Sequence, residues 1–440
     1  MSAHAAPTRL HGLTTTLRRP GIRRSIARTA GFNVASTIAA GVGGVIVARA
    51  LGPTMRGEYA AVTAWFGLLL MVGGMGQPAA LCFHVAREPR HAPEYVATSR
   101  AMMLVTGLIA LTGGLLVAPV LARGNADLTD GYRIAFSASI LAFVGASYTF
   151  SLQARDLRRW NIVRVSQPVL STIAIVVLWR AGRLTLDAAM VVLAFTMLLQ
   201  LIWAYRCCRL SGLAPGHARA RLVRPLATYG TAQIAALTPS AMNAYLDQLV
   251  LSQTVRPSEL GQYAIAVSLT LLPIPLASAI GYVAFPKLAG QRMAAGATYQ
   301  LQRAAVLASA GIAAAILLPL AAVAHWMVPL VFGAGYRGAV PLLWILTPGT
   351  VFLAAGGVVG DLLRGRNRPI IVAWAQGLAA VFTVVLLLVL LPVMGVAGAA
   401  VASTVAYGVA LAAMLRSLWR LPPNVDDVGP TALEDLSTEE

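Results

Sequence analysis

Charged residues are scarce in this chain, and those that enter its apolar helices are the first place to look for chemistry. Arg49 and Asp247 each sit in the last turns of an apolar stretch. Arg164 lies about one turn into another, and Arg28, Arg100 and Arg303 stand at the mouths of three more. A charge at the centre of a membrane helix costs about 2.5–3.5 kcal/mol on insertion scales, so it normally faces a cavity or a partner. The alternative, a side chain that reaches out to the interface, stands open for all of them. Apparatus for making or breaking bonds is missing. There is no GxSxG elbow, Walker loop or HExxH pair. Cys82, Cys207 and Cys208 have neither disulfide-framework nor metal-ligand spacing. Asp127 and Asp130 share a short polar segment and read as solvated. The chain is therefore expected not to be an enzyme, and its residues call for no metal and no cofactor.

The elements that carry these residues follow from composition. Of 440 residues, 58% are hydrophobic and 11% charged, with a mean hydropathy of +0.73. A soluble domain carries about 25% charged residues, so an ordinary water-exposed surface is missing. Apolar stretches recur at helix length, and a backbone in lipid must satisfy its own hydrogen bonds, so they read as spanning helices. Twelve are expected, near 30–51, 59–84, 99–122, 133–154, 161–181, 185–205, 227–252, 262–286, 303–326, 338–362, 370–392 and 395–417. Pro78, Pro273, Pro275 and Pro286 mark places where the backbone should bend. The net charge of +18 does not point to nucleic acid, because the 33 arginines and single lysine are spread over short loops. That pattern is what the positive-inside rule produces.

One stretch organises the rest. VIVARALGPTMRGEYAA (45–61) reads as an apolar helix, then a short charged turn holding Gly52, Pro53, Arg56 and Glu58, then a second helix leaving from Tyr59. It returns 204 residues later as LSQTVRPSELGQYA (251–264). Pro53 then meets Pro257, Gly57 meets Gly261, Tyr59 meets Tyr263 and Ala60 meets Ala264. Two similar halves are expected, each of six helices. With the N-terminus inside, 26 basic residues fall on inner segments and 8 on outer ones, which sets both termini in the cytoplasm. Both halves then begin inside and form a parallel repeat. The expected parts are a basic arm (1–29), a first lobe (30–205), a basic linker (206–226), a second lobe (227–417) and an acidic disordered tail (418–440).

VARALGPTMRGEYA resembles the first hairpin of the polysaccharide (oligosaccharidyl-lipid) flippases. These belong to the multidrug/oligosaccharidyl-lipid/polysaccharide (MOP) export superfamily. The segments RDLRRWNIVRVSQPV (155–169), LDQLVLSQ…ELGQYAIA (246–265), PLVFGAGYRGAVPLLWIL (329–346) and LLRGRNRP (362–369) resemble the same family in the same order. The resemblance implies an all-α bundle of twelve helices in two lobes around a central cavity that opens alternately to each side. It implies a bacterial inner-membrane protein that carries a polyprenyl-pyrophosphate-linked glycan from the inner to the outer leaflet. The drug-antiporter branch uses buried acidic residues in its first lobe, and the middles of helices 1–5 hold none here. Lipid II flippase and drug/cation antiporter remain the alternatives within the fold. A non-transporting scaffold that binds a polysaccharide polymerase or other envelope-assembly proteins is the alternative outside it. Neither the glycan nor a coupling ion, H⁺ or Na⁺, can be read off the residues.

Under that resemblance, Arg28, Arg49, Arg100, Arg164 and Arg303 are candidates for gripping pyrophosphate, since guanidinium offers paired donors. Asn33, Tyr59, Gln77, Tyr148, Asn243, Tyr245, Gln248 and Tyr263, with Trp65 and Gln153, are candidates for meeting sugar, or are ordinary packing. Helices 1 and 7 occupy equivalent places, so Arg49 and Asp247 are expected to pair as a gate at the outer mouth. The alternative is that each bonds within its own lobe, for instance Arg49 to Glu58 and Asp247 to Tyr245 or Asn243. The topology has a direct test. Single cysteines at Gly216 and Asn125 are expected to react with an impermeant maleimide from opposite faces of the membrane, and same-face labelling would overturn the twelve-helix count.

Overall fold

The computed structural model describes residues 20–213, 216–280, 295–366 and 368–420, with side chains from residue 31 onward except at 232, 235–244 and 295–298. The acidic tail, most of the basic arm and Pro286 lie outside the described residues.

The chain opens with one long helix, α1 (Pro20–Gly73), broken only at Gly52. Gly52 has φ 72° and ψ 177°, which an L side chain rarely adopts. Pro53 follows as the first residue of the resumed helix, where its missing N–H is no loss. The charged turn expected over Gly52–Glu58 is thus a single residue wide. Arg56 and Glu58 sit in the first turns of a helix rather than in a loop, a placement that matters below. At the other end of this second limb, Met75 and Gly76 take positive φ (46° and 63°), and α2 (Gln77–Arg87) begins with Pro78 in its first turn. The expected second span is therefore broken in two at its glycines.

The remaining helices alternate across the bundle. They are α3 (Ala92–Leu121), α4 (Ala126–Ser137), α5 (Ser139–Arg155), α6 (Leu157–Arg180), α7 (Leu186–Leu210), α8 (Ala220–Thr254), α9 (Pro257–Thr270), α10 (Ala295–Phe332), α11 (Ala339–Gly365), α12 (Pro369–Met394) and α13 (Val396–Arg420). The chain leaves α9 through a turn at Pro273, as its prolines suggest, and is helical again to Ile280. Among the described residues, ten helical segments are long and apolar enough to span a membrane. The first of them is folded at Gly52 into two limbs, so the count is roughly consistent with the expected twelve. Side chains such as Leu116, Trp374, Leu388 and Val393 are largely exposed and form the lipid-facing surface of the bundle.

Helices α1–α7 form one lobe and α8–α13 the other, and the two meet very unevenly. At the end holding Gly52 and the α8–α9 turn, here the hairpin end, one continuous apolar core runs through both lobes. It takes in Ala48, Val62 and Phe66 on one side and Leu251, Leu260, Tyr263, Tyr336 and Leu343 on the other. At the opposite, linker end the core divides into one cluster around Leu81, Tyr95, Leu152 and Trp160, which also takes in Leu222 and Leu226 from the start of α8, and another around Val358, Leu362 and Met414.

Repeat-equivalent backbones make the crossing at the hairpin end. A methyl group on Gly57 would overlap the carbonyl oxygen of Pro257, and one on Gly261 would overlap the carbonyl oxygen of Pro53. The contact is reciprocal, and only small residues allow helices so close. Gly57→Ala or Gly261→Ala is therefore expected to part the lobes here, because the atom in the way is backbone and cannot rotate aside. The readout is a cysteine at Ser252, which sits against Trp65 in the seal. It should react with impermeant maleimide several-fold faster in either alanine background; an unchanged rate would mean that this crossing does not hold the end shut.

Candidate functional site

Between the lobes, just below the crossing, lies a cavity of about 710 Å³. Its first wall is the small-residue run of α1, Ala40, Gly41, Gly43 and Gly44, which leaves room where larger side chains would fill it. α6 supplies Gln167, Ser171 and Thr172, and α9 and α10 supply Ser268, Leu269, Val331 and Phe332 from the second lobe. Arg56 and Tyr59 line it from the second limb of α1, and among the described residues no carboxylate does. Among the described residues, Tyr59 is thus the one member of the expected sugar-facing set that lines this cavity.

Arg56 is not singled out by sequence reasoning, which leaves it in a short charged turn. Because the helix resumes at Pro53, its side chain instead turns inward and is 9% exposed. Its guanidinium carbon lies 5.3 Å from the centre of the Tyr59 ring. Its Nε is buried without a hydrogen-bond partner, and among the described residues Arg56 makes no ion pair. One signal in the sequence could have found it. In the 204-residue register Arg56 meets Leu260, so a charge stands at a position that the second half makes apolar.

Arg49 and Asp247, the expected gate pair, do not meet. Arg49 Nη2 donates to the carbonyl of Leu330 at 2.7 Å, in the last turn of α10. The last four carbonyls of a helix lack intrahelical partners and carry the negative end of its dipole, so a guanidinium is well placed there. Gln253, the register equivalent of Arg49, does the same in reverse. Its Nε2 donates to the carbonyl of Leu121, the last residue of α3, at 3.2 Å. Each lobe thus caps a helix of the other. Trp65 Nε1 to Ser252 Oγ (3.0 Å) and Tyr336 Oη to the carbonyl of Ala48 (2.8 Å) complete the seal.

Asp247 bonds within its own lobe, though not to the residues expected. It is 5% exposed and accepts from the Tyr263 hydroxyl, from Ser403 Oγ at 3.3 Å and from the Gln248 N–H at 2.7 Å. Three donors satisfy this carboxylate, so the charge of Arg49 is not required of it. Tyr263 therefore orients Asp247 instead of facing a cavity, and Gln248 takes part through its backbone. Tyr245 packs across the lobe boundary against Gly67.

The other candidates lie toward the linker end. Arg164 donates to Asn33 Oδ1 and stacks over Trp160 with its guanidinium carbon 4.4 Å from the ring centre. Arg100 donates to the Tyr148 hydroxyl at 3.3 Å, and Gln77 accepts from Ser99, itself 3.3 Å from Ser147. These contacts lie inside the first lobe. Arg303 is exposed on α10. The side chains of Arg28 and Asn243 lie outside the described residues. The linker is tied to the first lobe by Glu94, which meets Arg219 at 3.6 Å and Arg221 at 3.4 Å.

Two lobes of membrane-length helices, closed at one end over a cavity, define a protein with the fold of the MOP-superfamily transporters. A MATE-family multidrug transporter in an inward-facing conformation superposes with a TM-score of 0.74 at 13% identity, covering 87% of this chain and 94% of that one. The lipid II flippase MurJ, in an inward closed conformation, gives 0.73 at 13% identity, with 92% and 90% covered. A MOP superfamily transporter from Pyrococcus furiosus Vc1, described as having a binding pocket of reverse polarity, gives 0.61 at 13% identity, with 90% and 95% covered. Residues 22–290 match the polysaccharide biosynthesis protein family, and the chain belongs to that family. No curated protein matches the chain in a sequence comparison.

The separate placement of Arg49 and Asp247 has a measurable consequence. Arg49→Asp combined with Asp247→Arg is expected to be no more stable to heat in detergent than the worse single variant. Asp247→Ala should itself cost roughly 1–3 kcal/mol, since it leaves the buried Tyr263 and Ser403 hydroxyls short of an acceptor. Mutual rescue by the double swap would restore the gate pair.

Proposed function

We propose that the protein flips a polyprenyl-pyrophosphate-linked oligosaccharide across a bacterial cytoplasmic membrane by alternating access, and is not an enzyme. The observation that carries this reading is the cavity. It lies between two lobes whose cores merge at the hairpin end, and among the described residues it presents hydroxyl, amide and guanidinium groups but no carboxylate. A cationic drug would meet no counter-charge there, whereas a glycan on an anionic carrier finds both kinds of partner. Membership of a polysaccharide biosynthesis family supports the same direction. In this reading the hairpin end faces outward, in keeping with the 26 to 8 distribution of basic charge. Arg164, held by Asn33 and Trp160, receives the head group from the inner side, together with Arg28, Arg100 and Arg303 at their helix mouths.

Depleting the protein should leave the lipid-linked sugar on the inner leaflet. A normal leaflet distribution in depleted cells would reject the reading. Arg164→Ala should lower export at least several-fold with insertion intact, and Arg164→Lys should restore only part, since it keeps the charge but loses the paired donors. Full export in the Ala variants of all four arginines would remove their role in recruitment.

A further inference from the structure

The best-supported cation for the cargo is one that the candidate set omitted. A buried guanidinium cannot escape its desolvation cost by releasing a proton, and it is normally kept only with a partner. Among the described residues Arg56 has neither an ion pair nor a hydrogen bond, only the face of Tyr59, and it lines a cavity without carboxylates. Packing does not demand it. The equivalent position in the second half is Leu260, 2% exposed in the same continuous core, so an apolar side chain suits this place in the repeat. The second lobe keeps its own buried charge satisfied, with Asp247 bonded to Tyr263. In the same register those two residues become Gly43 and Tyr59 in the first lobe, and both line the cavity. Where one lobe closes around a carboxylate, the other opens a space and aims a cation into it.

We propose that the closed end of this cavity is an anion site built on Arg56, which takes the phosphoryl or pyrophosphoryl head of the cargo. That the phosphate belongs to a lipid-linked glycan rests on the function proposed above; that the site prefers an anion does not. A guanidinium grips phosphate oxygens through paired N–H donors, and the low dielectric of a buried site strengthens the contact. Ser36, Ser171 and Gln167 line the same space and supply further donors. Gly57, the crossing residue of the seal, follows Arg56 directly in the chain. A bound head group therefore lies against the contact that must part for release.

The test uses the full-length protein in phosphatidylcholine nanodiscs with three probes: inorganic pyrophosphate, farnesyl diphosphate, and phosphatidylglycerol mixed into the disc. Pyrophosphate and farnesyl diphosphate should bind and raise the melting temperature, with affinity at least tenfold weaker in Arg56→Gln and partly retained in Arg56→Lys. Without ligand, Arg56→Leu should melt above the wild type, because it removes an uncompensated buried charge and installs the residue found at the equivalent position. Equal affinity in Arg56→Gln, or an Arg56→Leu protein that melts lower, would overturn the proposal. A response to phosphatidylglycerol alone would overturn it too, by assigning the site to bilayer lipid. Arg56-dependent binding without any translocation would leave the anion site in place and remove the transport reading. Translocation with pyrophosphate affinity unchanged in Arg56→Gln would do the reverse.

Discussion

Two helix backbones can touch only where neither carries a side chain at the point of approach, and here they touch at Gly57 and Gly261. The rest of the architecture depends on that contact. It joins the cores of the lobes at the hairpin end, and it brings Arg49 and Gln253 within reach of the exposed carbonyls at the ends of α10 and α3. Equivalent residues of a duplicated chain face each other, so the glycine crossing and the carbonyl caps of Arg49 and Gln253 each occur with the partners exchanged. A seal of this type consists largely of backbone geometry and single hydrogen bonds. It is specific in register, and the apolar core shared by both lobes at this end packs around it.

The departures from symmetry matter as much as the symmetry. Asp247 and Tyr263 form a closed, satisfied cluster in the second lobe, while Gly43 and Tyr59 at the same register leave open space in the first. Leu260 fills its position with hydrocarbon, and Arg56 fills the equivalent one with an uncompensated charge. A structural repeat needs none of these differences. They give a cavity with one polarity, placed asymmetrically between lobes that share a backbone plan.

Much of the fold was legible in the residues, and the candidate site much less so. Arg49 was recognised as a charge that needed a partner, but its partner is a main-chain carbonyl 281 positions away, which no side-chain pattern reveals. Asp247 was matched by charge to Arg49, whereas hydroxyls from Tyr263 and Ser403 satisfy it, the latter 156 positions distant. In the sequence Arg56 falls in a short charged turn, because Gly52, Pro53 and Glu58 around it look like a loop. A single positive φ at Gly52 is enough of a turn, so the helix restarts at once and carries Arg56 into the interior.

The sequence by itself determined the membrane class, the approximate number of crossings, the repeat and the all-helical architecture. Hydropathy and helical length are properties of contiguous residues, and lipid leaves the backbone no other way to satisfy its hydrogen bonds. Only the tertiary structure decided which charges are paired, which glycines are contact points and which arginine faces the cavity. Those outcomes depend on groups brought together from opposite ends of the chain, many of them backbone atoms that every residue possesses alike.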